Sequence, residues 1–86
     1  LQPGDPFILD SLGWVHYRLG NYGLAVGSLK KAFELRSDPE IAAHLGEVLW
    51  VQGRLEEARD VWDLGLGHED GTKNRVLRET IRRLVP

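Results

Sequence analysis

Residues 11–25 read SLGWVHYRLGNYGLA, and residues 44–58 read HLGEVLWVQGRLEEA. Both stretches carry Leu-Gly, then a second glycine, then alanine at the same internal spacing. A phosphate-binding glycine loop would need a lysine followed by serine or threonine after its last glycine, and neither copy supplies one. The pattern is therefore a repeat. Shifting the sequence by 33 positions pairs Asp5 with Asp38, Pro6 with Pro39, Ile8 with Ile41 and Leu12 with Leu45. The same shift pairs Gly13 with Gly46, Val15 with Val48, Gly20 with Gly53 and Ala25 with Ala58. Similar residues fill the gaps: Tyr17 with Trp50, Tyr22 with Leu55, Leu29 with Trp62. A period in the thirties is the signature of a helical solenoid.

Local chemistry divides each unit into two helices. Asp5-Pro6 and Asp38-Pro39 start the first helices, with aspartate as N-cap and proline in the first turn, where its missing N–H costs nothing. Ile8, Leu12, Val15 and Leu19 recur at three- and four-residue spacing, as do Ile41, Leu45, Val48 and Leu49, which is the apolar stripe of a helix. Gly20 and Gly53 stand where a left-handed residue ends each first helix. The second helices carry Tyr22, Ala25, Val26, Leu29, Ala32 and Phe33 in one unit, and Leu55, Ala58, Val61, Trp62 and Leu66 in the other. A fifth helix follows, with Val76, Leu77, Ile81 and Leu84 as its stripe and Thr72 as its cap. The spacing predicts helices over 6–19, 22–35, 39–52, 55–66 and 73–84, with fraying near Gly65 and Gly67. The expected core is Leu12, Val15, Leu19, Ala25, Leu29, Ala32, Leu45, Val48, Leu49, Ala58, Trp62 and Ile81. Gly13 and Gly46 cost about 1 kcal/mol each inside a helix. Ala25 and Ala58 pressing against them would account for that cost.

Among known families the chain resembles the tetratricopeptide repeat. The first unit matches that pattern with Leu12-Gly13, His16, Gly20, Tyr22, Ala25, Leu29 and Ala32, and the second with Leu45-Gly46, Leu49, Gly53, Leu55, Ala58, Trp62 and Gly65. His16 and Leu49 replace an aromatic, as does Leu55, and Gly65 replaces alanine. The 33-residue unit is one short of the usual ~34. The resemblance covers about residues 5–67. It implies an all-α, right-handed superhelical solenoid fragment, with repeats at 5–37 and 38–70 and a capping helix at 71–86. The wording also resembles the terminal repeats of large bacterial proteins of this family, including envelope scaffolds.

Composition narrows the function classes. The chain has 86 residues, no cysteine and no methionine, even at position 1. It thus reads as a piece of a longer protein that leaves cytoplasm and bacterial periplasm or envelope both open. Without cysteine there is neither a disulfide nor a thiolate ligand or nucleophile. No apolar run approaches the ~20 residues that span a bilayer. Net charge is −2, but residues 71–86 carry five basic groups against Glu79. That basic helix on an acidic body is a weak footprint for nucleic acid.

His44 and Glu47 share a helix face, but two ligands without a third do not make a metal site. Ser11, His44 and an aspartate lack an oxyanion hole. The expectation is no catalysis, no metal and no cofactor. The informative residues form a second stripe on the first helices: Phe7, Ser11, Trp14, Tyr17 and Arg18, then His44, Glu47 and Trp50, continued by Arg78 and Arg82. In the resembled family these positions line a concave groove that holds a peptide or helix of a partner protein. Trp, Tyr and Arg are also the residues of binding hot spots. The carboxylate-gripping version of that groove is not supported, because Ser11 and His44 stand where asparagines would be. The expected role is a protein-binding scaffold or adaptor. The alternative is a structural end module, or a self-association module, of a longer array.

Overall fold

The computed structural model describes residues 4–68 and 71–86. Five helices follow in order: α1 (Pro6–Arg18), α2 (Tyr22–Leu35), α3 (Pro39–Val51), α4 (Leu55–Leu66) and α5 (Arg75–Leu84), with a 3-10 turn at Gly71–Lys73 before α5. The described residues contain no strand, and none of their helices is long and apolar enough to cross a membrane. This is an all-α helical repeat solenoid.

Each boundary has a local cause. The Asp5 carboxylate accepts from the backbone N–H of Phe7 at 2.8 Å and of Ile8 at 3.3 Å. Asp38 repeats the device with Glu40 at 2.8 Å. The first helices end in identical fashion. Gly20 and Gly53 both adopt φ 82°, a region open to glycine and strained for other L-residues. That conformation turns the Asn21 N–H onto the His16 carbonyl at 2.8 Å and the Arg54 N–H onto the Leu49 carbonyl at 2.9 Å. Orphan carbonyls at both helix ends are thereby satisfied.

The start of α5 differs from expectation. Asn74, not Thr72, caps it, its side-chain oxygen accepting from the Leu77 N–H at 2.9 Å. Thr72 is absorbed in the 3-10 turn. Nor does α4 fray at Gly65. That glycine is buried inside the helix, where a Cβ would stand 2.6 Å from Ala42 Cβ and 3.1 Å from Leu77 Cδ2. Its missing side chain lets α3, α4 and α5 converge. Residues 69 and 70, within the turn-rich lead-in to α5, lie outside the described residues.

Two corrections concern packing. Residues Leu12, Val15 and Leu19 are 47%, 54% and 69% exposed, so they are not core. Their counterparts Leu45 and Val48 are buried because α2 and α4 flank α3. No described helix lies on the far side of α1. The core instead gains Val26, Ile41, Ala42, Ala43 and Leu77, while Ile81 is only partly buried. Ala25, Leu29, Ala32, Leu45, Val48, Leu49, Ala58 and Trp62 are buried as expected. The second correction concerns the helical glycines. A Cβ on Gly13 would meet Leu29 Cγ at 2.7 Å, and one on Gly46 would collide with the Trp62 indole. Each glycine makes room for the large side chain at the repeat-equivalent position, rather than mainly for Ala25 or Ala58.

Candidate functional site: a ledge across the first helices

Helices α1 and α3 lie side by side through their inner stripes. The residues joining them were in part anticipated. Trp14 stacks on His44 with ring centroids 4.3 Å apart, and on Tyr17 at 4.9 Å. The His44 ring is fixed from its other side, Nδ1 lying 2.7 Å from Asp10 Oδ1. An ionised carboxylate can only accept, so the hydrogen of this bond sits on Nδ1. Asp10 escaped sequence reasoning, although it lies one helical turn before Trp14 and so on the same face.

Glu47 does not project from a surface as part of a pair with His44. It is 6% exposed. The Tyr17 hydroxyl donates to its Oε2 at 2.9 Å, and the Arg83 guanidinium donates to Oε1. The carboxylate thus ties α1, α3 and α5 together. Burial, then the hydrogen bond and negative charge of Glu47, push the Tyr17 hydroxyl from 10.0 up to about 12. All three of Arg78, Arg82 and Arg83 are exposed, and the one whose guanidinium reaches the ledge is Arg83. At 100° per residue, Arg83 stands about 140° around α5 from Arg78. Sequence periodicity put Arg78 and Arg82 in the row and left out Arg83, the one that pairs with Glu47 of α3.

The remaining members of the stripe disperse. Ser11 and Arg18 are exposed along α1. Phe7, 49% exposed, lies at the start of α1 beneath the Arg36 guanidinium, 5.5 Å from its ring centre. Trp50 is half-buried and faces α4, its ring 5.6 Å from that of Trp62 and 5.5 Å from the Arg59 guanidinium. The ledge brought together by the fold is therefore Asp10, Trp14, Tyr17, His44 and Glu47, with Arg83 at its end. No group of three or more potential metal ligands forms among the described residues. The ledge offers aromatic faces and paired charges, suited to recognition of another surface.

Comparison with known proteins places this geometry. The family model described as "Tetratricopeptide repeat" matches residues 39–63, spanning α3 and most of α4. A TPR repeat-containing protein of Pseudomonas aeruginosa is 51% identical over 47 residues, 55% of this chain and 8% of that protein. Protein POLLENLESS 3 of Arabidopsis thaliana is 38% identical over 65% of this chain and 13% of its own length. The serine/threonine-protein kinase pkn3 of Myxococcus xanthus is 41% identical over 66% of this chain and 11% of its own. The chain spans only a small fraction of each relative. The matched unit is α3 and α4, and α1 and α2 repeat its caps, its left-handed glycine and its glycine-to-large-residue contact. The chain is thus similar to tetratricopeptide repeat proteins, through α3 and most of α4 in the family match.

Proposed function

We propose that this chain is a protein-binding module whose α1–α3 ledge receives a peptide or helix of a client protein, as part of a scaffold or adaptor without chemistry of its own. Tetratricopeptide repeats are generally protein-interaction modules. The supporting observation is the contiguous aromatic ledge of Trp14, Tyr17 and His44, braced from behind by Asp10 and Glu47. Aromatic rings already held by neighbours lose little conformational freedom on binding, and rings of this kind dominate interface energetics. Ser11 and Arg18 extend the proposed surface along α1, and Phe7, Trp50, Arg78 and Arg82 are proposed as outlying contacts for a longer client segment. The proposed organisation is a repeat at 5–37, a repeat at 38–70 and a capping segment at 71–86.

Selection of binders from a displayed peptide library tests the reading. Peptides selected on the wild-type chain are expected to lose about tenfold or more in affinity for Trp14→Ala, the loss typical of a hot spot. The same peptides should keep their affinity for Leu24→Ala, which alters an exposed site on α2. Equal binding to both variants would remove the ledge from the function.

A second reading has its own observation. The exposed Leu12, Val15 and Leu19 give α1 an apolar outer stripe, which suits end-to-end packing or self-association. A mass that rises with concentration, and stops rising in Leu19→Glu, would support it.

A further inference from the structure

We propose that Arg83, Glu47 and Tyr17 form a latch holding the C-terminal half of α5 against the α1–α3 ledge, so that unlatching uncovers the C-terminal end of that ledge. The proposal rests on the ledge being the binding surface, and it assigns α5 the role of controlling access to part of it.

The placement of α5 is the first argument. Helix α3 packs chiefly on α2 and less on α1, whereas α5 packs chiefly on α3 and only slightly on α4. The last helix is thus shifted toward the first-helix side, where the ledge lies. Its two halves are held differently. Leu77, fully buried, anchors the N-terminal half in the space left by Gly65. In the C-terminal half Thr80 is buried at its start, whereas Ile81, Leu84 and Val85 are only partly buried. The specific tie there is the Arg83 guanidinium on the Glu47 carboxylate.

The energetics make such a tie releasable. Glu47 is 6% exposed, so its charge needs partners, and charge-assisted hydrogen bonds are stronger than neutral ones. The Arg83 side chain is 58% exposed, so salt and competing anions reach it. When Arg83 lets go, Glu47 keeps the Tyr17 hydroxyl. The released half-helix is far shorter than the ~12–15 residues that hold helical form in water, so it melts rather than swings. The pivot at Leu77 stays buried, and the rest of the fold is not required to open.

Hydrogen exchange resolved by residue tests the latch on the whole chain, with no ligand involved. In Arg83→Gln, amides of residues 80–85 are expected to exchange about tenfold faster, as loss of one charge-assisted bond implies, while those of α1 to α4 keep their rates. Molar sodium chloride should have the same effect on the wild-type chain and add little in Arg83→Gln. Arg83→Lys, which keeps the charge, should restore part of the protection. Unchanged rates at 80–85 would overturn the latch. So would an equal acceleration of α3 and α5, the mark of general destabilisation. Should Arg83→Gln not fold, the salt dependence of the wild-type chain decides alone. Failure of the peptide selection would leave these exchange rates untouched, so the two readings fail separately.

Discussion

At the scale of single residues, the most constrained group is the Tyr17 hydroxyl. It donates to a buried carboxylate, and losing its proton would set a phenolate against Glu47. Burial first, then that hydrogen bond and the Glu47 charge, place its ionisation at about 12 rather than 10.0. The unfolded chain gives up the tyrosine proton first as pH rises. Below pH 10 the hydroxyl's full contribution to stability is therefore present, and it is lost as pH climbs through 12. We predict a fall in unfolding midpoint over that window that is smaller in Tyr17→Phe. A phenolate absorbance titration should also show a step near pH 12 that disappears in Tyr17→Phe. Tyr17 was visible in the sequence as part of an aromatic stripe. Its acceptor was not, because Glu47 lies 30 residues away on another helix.

At the scale of helices, close approach decides stability. Within the α3–α4 pair, Gly46 lies under the Trp62 indole, which is itself 2% exposed. A methyl group there displaces a rigid ring. In the α1–α2 pair, Gly13 faces the branched end of Leu29, which can turn aside. Gly46→Ala is expected to cost about 1–3 kcal/mol despite alanine's better helix propensity, and Gly13→Ala less. Urea unfolding of the two variants measures the difference, and equal midpoints would contradict it. The sequence showed that these glycines were unusual, since a helix interior disfavours them. It did not show which side chain fills the space, because alanine and a larger residue both lie on the facing helix.

At the scale of the whole molecule, the two units are alike in sequence and unlike in burial. Leu12 and Leu45 occupy equivalent positions, yet one is 47% and the other 1% exposed. Leu45→Ala is expected to cost about 2–5 kcal/mol, the range for deleting a buried leucine side chain. Leu12→Ala should cost well under 1 kcal/mol, as for a surface change. Thermal or urea unfolding of the pair tests whether α1 is open in solution. Matching losses would mean that something covers Leu12, and a second copy is the first occupant to check by mass.

The sequence by itself determined the helices, both ends of α1 and α3 to within a residue, and the repeat they build. Caps such as Asp5 and Asp38, the left-handed Gly20 and Gly53, and the three- and four-residue apolar spacing all act within a few bonds, so they are legible in order along the chain. The 33-residue repetition then carried the solenoid. Tertiary structure alone decided which apolar residues are core, that Asn74 caps α5, that Trp50 turns toward α4, and that Arg83 reaches Glu47. Burial and pairing depend on which helices flank a given face. Two nearly identical stripes, Leu12-Val15 and Leu45-Val48, therefore meet water in one unit and protein in the other.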